Sequence, residues 1–517
     1  MSDLRTLEEK AAGLLVVRLG NNLPPAVTAT EQEAEVAALL DRHPIGGLIL
    51  FNGRWPETRD TLGRLQAKSE RGLIVTTDME RGFGQQVRGG TVYPHSAAFG
   101  KVGDAATVRQ FARQASEEAL AGGVHVTYSP VADVDRNERN PIIGARAFAA
   151  EPERAAELTT AFIEGAHEAG QLATAKHFPG HGGTEGDSHA ELPTVADDRA
   201  ALEATDLVPF RAAVDAGVDL VMTAHVVYPA LDPDRPATRS KKILRGLLRD
   251  ELGFEGVVVT DSLQMAGAKV EGQTEAELAA ELVEAGVDLF VDAVDPEALI
   301  AGLAAAVREG RLDEGLIDAA LARVDALRQR LRERFGPDVF RNPPYPAGTV
   351  AAPEHRQLAE RVARDAVEEV RGPLPDLGDG TGTLVVLVKP APRPYEPETM
   401  PMGEAVARLL PGAVYRELEP THEDEDEPFE EIRLRAGDAE RLVVATIARP
   451  AAWSTFGLEA REKRFVQRLM EKHPTTLVVL GDARGLRGYD ACDSALLTYS
   501  DVEASQVAAV ERLARGR

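Results

Sequence analysis

Residues 176–189 bring histidines, carboxylates and glycines close together in one stretch of sequence. The stretch reads KHFPGHG at 176–182 and DSH at 187–189. The Pro-Gly pair predicts a turn, and the glycines allow the backbone to approach a ligand closely. This composition is typical of a functional loop carried by a rigid scaffold.

Three interpretations of this loop compete. The simplest is a purely structural loop. A zinc site would use His177 and His181 with His189 or Asp187, but Phe-Pro-Gly keeps the first two off a shared helical face, and their spacing matches no usual zinc pattern. Proton transfer would use Asp187 and His189, since a carboxylate can orient an imidazole that donates and accepts protons near neutral pH. We expect no metal and no cofactor.

The elements that must position this loop follow a strand–helix alternation. Eight short apolar runs, separated by amphipathic stretches, predict parallel strands that are buried on both faces. Eight such units over about 300 residues are typical of a (β/α)8 TIM barrel. The runs span 14–19, 47–51, 73–77, 124–131, 173–178, 220–225, 257–261 and 288–291.

Polar residues lie at or just past the carboxyl end of five of these runs. A barrel carries its active site on that rim. One polar strand end is unremarkable, but five in register predict a shared site. They are Asp78, Asp133, His177, His225 and Asp261.

The remainder of the chain predicts a second domain. We expect a catalytic barrel over residues 1–336, a proline-rich linker over 337–353, and a smaller α/β/α sandwich over 354–517. The acidic run 417–431 shows no periodic apolar face and is predicted to be an exposed loop. The second domain could pack against the barrel, shape the substrate entrance or mediate formation of a homodimer.

Composition excludes several classes of partner. The net charge of −26 argues against nucleic acid and against anionic membrane surfaces, which both require clustered Lys and Arg. Cys492 is the single cysteine, so no internal disulfide can form. We see neither a signal peptide nor a membrane-spanning run, and the expected location is the cytoplasm.

Several further motifs occur with the loop in a recognisable order. They are DMERG at 78–82, VRGGTVYP at 87–94, SPVADV at 129–134, NPIIGARAF at 140–148, VMTAHVVYP at 221–229, PATRSKKIL at 236–244 and LGFEGVVVTDSLQM at 252–265. Together with KHFPGHG and DSH, this set closely resembles the β-N-acetylglucosaminidases of glycoside hydrolase family 3. The resemblance extends from about residue 8 to about residue 340, and two-domain relatives carry an α/β/α sandwich after the barrel.

The resemblance implies roles for three catalytic residues. Asp261, in the TDSLQM segment, matches the family's nucleophile, although an Asp there could also cap the following helix. His189 matches the acid/base of this branch, and Asp187 matches the carboxylate that orients it. A retaining glycosidase needs these two functions, a carboxylate at the anomeric carbon and a proton donor at the leaving oxygen.

The resemblance also implies a set of sugar contacts. This sequence departs from the usual D-x-E-G-G-R-V-x-R motif, because Phe83 and Gln86 occupy the two arginine positions. Arg88 is therefore the candidate for this contact, and Arg81 is its rival. The candidate contacts are Asp78, Arg88, Arg146, Lys176 and His177.

The function implied is that of a retaining exo-β-N-acetylglucosaminidase acting through a covalent glycosyl–Asp261 intermediate. A cytoplasmic member would act on peptidoglycan-derived fragments during cell-wall recycling. The alternatives are a phosphorylase that uses the same intermediate, a β-glucosidase, and a non-catalytic carbohydrate-binding protein.

Overall fold

The structure of the protein is a computed structural model that describes residues 5–269, 272–390, 400–420, 426–450 and 456–515. The chain forms two compact units. The first comprises Met1–Val92, Ala105–Asn140 and Ala147–His355. The second comprises Tyr93–Asp104, Pro141–Arg146 and Arg356–Arg517.

An eight-stranded parallel sheet forms the centre of the first unit. A bridge between Val259 and Leu289 brings the seventh and eighth strands together and nearly closes the sheet into a barrel. The predicted (β/α)8 barrel is thereby confirmed. In chain order the strands are Leu15–Leu19, Gly47–Leu50, Ile74–Thr77, Val126–Thr127, Leu172–Phe178, Leu220–Thr223, Val257–Thr260 and Phe290–Val291.

Helices follow most of these strands and bury their apolar faces against them. They are Leu7–Ala12, Ala29–Leu40, Glu57–Ala67, Ala105–Ala121, Pro152–Ala169, Arg199–Ala204, Leu207–Asp215, Lys242–Glu251, Glu275–Ala285, Pro296–Arg308 and Glu314–Phe335. Thr28 and Thr274 cap their helices through capping boxes, which satisfies backbone donors at the first turn.

The barrel interior is a packed apolar core. Strand residues such as Val16, Leu220 and Val257 form one buried cluster with Val324 and Leu327 of the helix Glu314–Phe335. Because one end of the barrel is filled in this way, chemistry is confined to the polar residues that follow the carboxyl ends of the strands.

A six-stranded sheet with an apolar core on each face forms the centre of the second unit. Along the strand Thr383–Val388, Leu384 and Val386 enter one core while Val385 and Leu387 enter the other. This alternation gives the predicted α/β/α sandwich. The strands are Glu368–Arg371, Thr383–Val388, Val414–Leu418, Arg441–Ala448, Thr475–Gly481 and Ser494–Leu497; the helices are Ser96–Val102, Pro353–Ala366, Pro401–Leu409, Glu427–Asp438, Ala460–Lys472 and Glu503–Arg515.

The prediction of one exposed loop over 417–431 is wrong at both ends. The strand Val414–Leu418 enters the run, and the helix Glu427–Asp438 begins inside it; residues 421–425 lie outside the described part of the chain. The helix forms because Phe429, Ile432 and Ala436 share one buried face.

Candidate active site

Lys176 lies on the fifth barrel strand and is almost completely buried. Its side chain is 2% exposed, and its Nζ atom lies 2.6 Å from Oδ1 of Asp78 and 2.9 Å from Oε1 of Glu80. A buried ammonium group is stable only when it is paired in this way. The structure therefore brings together two predicted sugar contacts, Lys176 and Asp78, and adds Glu80, whose role we did not predict.

His177 links the carboxylate of Asp133 to the candidate nucleophile. Its Nδ1 atom lies 2.6 Å from Oδ2 of Asp133, and its Nε2 atom lies 3.9 Å from Oδ2 of Asp261. Asp133 is buried and also accepts the backbone N–H groups of His177 and His181. Burial acts to raise the pKa of Asp133, but His177 and His181 outweigh it, and the pKa lies below its usual value.

Asp261 follows the seventh strand, and its carboxylate interacts electrostatically with three histidines and a lysine. Burial acts to raise its pKa, but the positive potential of His177, His225, His189 and Lys176 outweighs burial and lowers the pKa to about 2. The side chain keeps 24% of its surface exposed. Asp261 is thus an ionised carboxylate that a ligand can reach.

Asp187 and His189 form a hydrogen-bonded pair. The Nδ1 atom of His189 lies 2.6 Å from Oδ1 of Asp187, which also accepts the His189 backbone N–H at 2.9 Å. Burial acts to raise the pKa of Asp187, but the hydrogen bond and charge of His189 lower it below its usual value. The carboxylate therefore fixes the orientation of the ring.

Backbone hydrogen bonds hold this pair against the loop that follows Asp261. The N–H of Gly267 donates to the carbonyl of Ser188 at 3.1 Å, and the N–H of Ala266 donates to the carbonyl of His189 at 3.3 Å. These bonds explain how two segments far apart in sequence contribute to one site.

His225 is a hydrogen-bonded residue at the end of its strand. Its Nδ1 atom lies 2.9 Å from Oγ1 of Thr238, and its Nε2 atom lies 3.3 Å from the carbonyl of Ser262. Burial lowers its pKa, and the charge of Asp261 partly opposes that effect.

Arg18 and Asp292 form a pair that sequence reasoning missed. The Nε atom of Arg18 donates to Oδ1 of Asp292 at 2.7 Å, and Oδ2 of Asp292 accepts the Ser262 hydroxyl at 2.6 Å. Two features of the sequence could have predicted this pair. Arg18 lies inside an otherwise apolar strand, and Asp292 follows the last strand of the barrel. The pair supports the residue that follows Asp261.

The departures from the family motif have structural explanations. Phe83 is fully buried and meets the ring of the partly exposed Trp55 edge-on at a centroid distance of 6.4 Å. Gln86 accepts a hydrogen bond from Nδ2 of Asn22 at 2.7 Å. Neither side chain is charged, so neither position can replace the arginine of the family motif as an ionic contact to a sugar.

The two candidate arginines belong to different units of the chain. Arg88 is exposed, and its guanidinium donates to Oδ1 of Asn52 at 3.4 Å. Arg146 ends the segment Pro141–Arg146, which belongs to the second unit, and donates to the carbonyl of Ile142 at 3.2 Å.

The described part of the chain contains neither a group of side chains suited to a metal ion nor a helix suited to cross a membrane. Within residues 5–269, 272–390, 400–420, 426–450 and 456–515, no three His, Cys, Asp or Glu side chains are grouped to hold a metal ion. Over the same ranges, every helix is too short or too polar to cross a membrane.

Comparison with known proteins gives a consistent picture. Residues 6–327 match the glycosyl hydrolase family 3 N terminal domain. The chain is 32% identical over 378 residues to beta-hexosaminidase A of Pseudoalteromonas piscicida, a match that covers 65% of this chain and 61% of that protein, less than two thirds of its length. It is 40% identical over 256 residues to a beta-hexosaminidase of Pseudomonas aeruginosa (strain LESB58), covering 48% of this chain and 75% of the relative.

A solved structure extends the similarity to the second unit. The glycoside hydrolase family 3 beta-N-acetylglucosaminidase from Paenibacillus sp. str. FPU-7 has a TM-score of 0.85 and 28% sequence identity. The match covers 99% of this chain and 97% of that one. With its barrel domain matched over most of its length, this chain belongs to glycoside hydrolase family 3.

Proposed function

We propose that the protein is a retaining exo-β-N-acetylglucosaminidase that removes terminal N-acetylglucosamine through a covalent glycosyl–Asp261 intermediate. One observation carries this proposal: the Asp187–His189 pair is hydrogen-bonded to the loop that follows an ionised Asp261. The relatives named beta-hexosaminidase and beta-N-acetylglucosaminidase support the choice of sugar.

In the first step a carboxylate oxygen of Asp261 attacks the anomeric carbon. His189 donates a proton to the glycosidic oxygen, the bond from that oxygen to the anomeric carbon breaks, and the aglycone leaves. Because Asp187 engages Nδ1 of His189, Nε2 is the atom assigned to proton transfer.

In the second step the neutral His189 takes a proton from water. The water oxygen attacks the anomeric carbon from the side opposite Asp261, and the carboxylate leaves with its electron pair. Two inversions give overall retention of configuration.

The sugar hydroxyls are assigned to the charged groups around Lys176. Lys176, Asp78 and His177 are held by short hydrogen bonds, which makes them directional contacts. The family resemblance adds Arg88 and Arg146 to this set.

A substrate panel tests the proposal. Nitrophenyl N-acetylglucosaminide and nitrophenyl glucoside would be compared with wild type, Asp261→Ala and His189→Ala, each with and without phosphate. We expect the N-acetylglucosaminide to be cleaved, phosphate to have no effect, and Asp261→Ala to be inactive. A preference for glucoside would instead indicate a β-glucosidase.

Phosphorolysis is the second candidate function. A neutral His189 repels an incoming phosphate less than a carboxylate would, so the same intermediate could be resolved by phosphate. A sugar phosphate as the main product would establish this function in place of hydrolysis. If no glycosyl-enzyme adduct formed with a fluorinated sugar, the binding-protein interpretation would replace both.

The proposed setting is cytoplasmic recycling of peptidoglycan fragments. The single cysteine, Cys492, fits a reducing compartment. Release of N-acetylglucosamine from a purified muropeptide fragment, together with cell fractionation, tests both parts of this assignment.

A further inference from the structure

Ser188 is the buried middle residue of the Asp187–His189 triplet. It is 2% exposed, and its Oγ atom lies 2.9 Å from Nε2 of His181. The other ring nitrogen of His181, Nδ1, lies 3.0 Å from Oγ1 of Thr184. A neutral imidazole has one donor and one acceptor nitrogen, and each here has a hydroxyl as its partner.

His181 is itself anchored to the rim of the barrel. Its backbone N–H donates to Oδ1 of Asp133 at 2.6 Å, and its carbonyl accepts Nδ2 of Asn140 at 2.9 Å. His181 is 3% exposed. It therefore connects the triplet to the same carboxylate that orients His177.

Because Gly267 has no side chain, its backbone can lie close to the carbonyl group of Ser188 in the triplet. A Cβ atom added there would lie 3.1 Å from the carbonyl oxygen of Ser188 and 3.0 Å from Cβ of His225. Both distances are tighter than ordinary contacts, so a side chain at this position must displace a neighbour. The backbone of Gly267 does not require glycine by its φ angle, and the constraint is therefore steric.

We propose that His181 is a positioning residue for His189: its hydrogen bond to Ser188, together with the close contact at Gly267, fixes the triplet where His189 can protonate the leaving group. This inference rests on the proposed function of His189. The His181–Ser188 hydrogen bond and the Gly267 contact both act on Ser188, the residue between Asp187 and His189. Their effect is therefore distinct from that of the Asp187–His189 hydrogen bond and from that of the sugar contacts.

Leaving-group dependence separates positioning of an acid from general damage. A dinitrophenyl leaving group departs without protonation, whereas a methylphenyl leaving group needs a proton. Because kcat/KM reports the first step, loss of His189 alignment lowers kcat/KM only for the methylphenyl glycoside, whereas loss of sugar binding or of the nucleophile lowers it for both.

The experiment measures kcat/KM of Ser188→Ala and Gly267→Ala on both N-acetylglucosaminides. We expect kcat/KM to fall about tenfold for the methylphenyl glycoside and less than about twofold for the dinitrophenyl glycoside. His181→Gln, which keeps a polar group near Ser188, should recover part of the activity that His181→Ala loses.

Ser240→Ala is the matched control. Ser240 is also a buried serine, and its hydroxyl donates to Oδ2 of Asp232 at 2.7 Å, outside the triplet. Its substitution should lower thermal stability and leave the ratio of the two glycosides unchanged.

Equal losses on the two glycosides, or no loss in Ser188→Ala and Gly267→Ala, would overturn the positioning role. If Ser188→Ala does not fold, the His181 variants decide: an equal loss on both glycosides in His181→Ala, or no recovery of activity in His181→Gln, would overturn the positioning role. Wild-type enzyme that cleaved neither glycoside would contradict the proposed function instead.

Discussion

The Nε2 atom of His177 lies 3.9 Å from Oδ2 of Asp261, while Nδ1 of the same ring is hydrogen-bonded to Asp133. One imidazole thus connects a fully buried carboxylate to the carboxylate that we assign as nucleophile. His177 therefore lies between two carboxylates, one hydrogen-bonded to its ring and the other within 3.9 Å of it.

Asp261→Asn should abolish turnover while the protein remains folded. The amide keeps the size of the side chain but cannot form the glycosyl ester, and we expect kcat to fall by at least about a thousandfold. Steady-state kinetics on an activated glycoside measures this, with circular dichroism as the folding control. Residual activity above about one tenth of wild type would reject Asp261 as the nucleophile.

The same variant should alter acid stability. The folded pKa of Asp261 is about 2, below the ordinary value of about 3.9. A lowered pKa stabilises the fold above the ordinary value, and this stabilisation is lost as pH falls toward about 2. When the pH is lowered from about 6 to about 3, the unfolding free energy of both proteins should fall. The fall should be about 1 kcal/mol smaller for Asp261→Asn than for wild type. Denaturant titrations at both pH values measure the difference; an equal or greater loss in the variant would contradict it.

Asp133→Ala should impair both stability and catalysis. It removes a buried acceptor of three groups, the ring and backbone of His177 and the backbone of His181. Breaking such a buried pair costs about 3 kcal/mol of unfolding free energy. We also expect kcat/KM to fall, because both histidines lose their anchor.

Asp232→Ala provides the control for that loss. Asp232 is also buried and hydrogen-bonded, to Ser240 and Lys242. Its substitution should lower stability with little change in kcat/KM. If the two variants had the same catalytic defect, the Asp133 effect would be one of stability alone.

Lys176→Met should separate folding from sugar binding. It leaves the carboxylates of Asp78 and Glu80 together without their cation, which destabilises the fold by like-charge repulsion. Adding Glu80→Gln should restore much of the melting temperature but not kcat/KM, because the sugar contact is still missing. Recovery of activity in the double variant would argue against a direct role of Lys176.

Arg88→Ala should raise KM more than it lowers kcat. A contact made equally in the ground and transition states affects KM, and we expect an increase of about tenfold. Arg81→Ala is the comparison, since Arg81 is the rival candidate. A larger increase of KM in Arg81→Ala would transfer the assignment to that residue.

The strands of the barrel were predictable because each lies within a mainly apolar run, which a parallel strand buried on both faces requires. The observed strand Leu172–Phe178 begins one residue before the predicted run, at 173. The positions of the barrel strands can therefore be predicted from local sequence.

Contacts between distant segments were not predictable in the same way. Arg18 and Asp292 are 274 residues apart and meet because the first and eighth strands pair side by side in the sheet. The helix Glu427–Asp438 was missed for another reason: its charged residues conceal the spacing of Phe429, Ile432 and Ala436. In both cases the decisive property is an arrangement in space, which composition does not display.

The carboxylate of Asp133 is hydrogen-bonded both to His177, a proposed sugar contact, and to His181, the residue proposed to position the proton donor. A mutation that moves this acid would shift His177 and His181 together, so affinity and turnover cannot be adjusted separately at this position. A new leaving-group preference would therefore have to come from substitutions at residues such as Ser188 or Gly267. Changes there alter the position of His189 without disturbing His177.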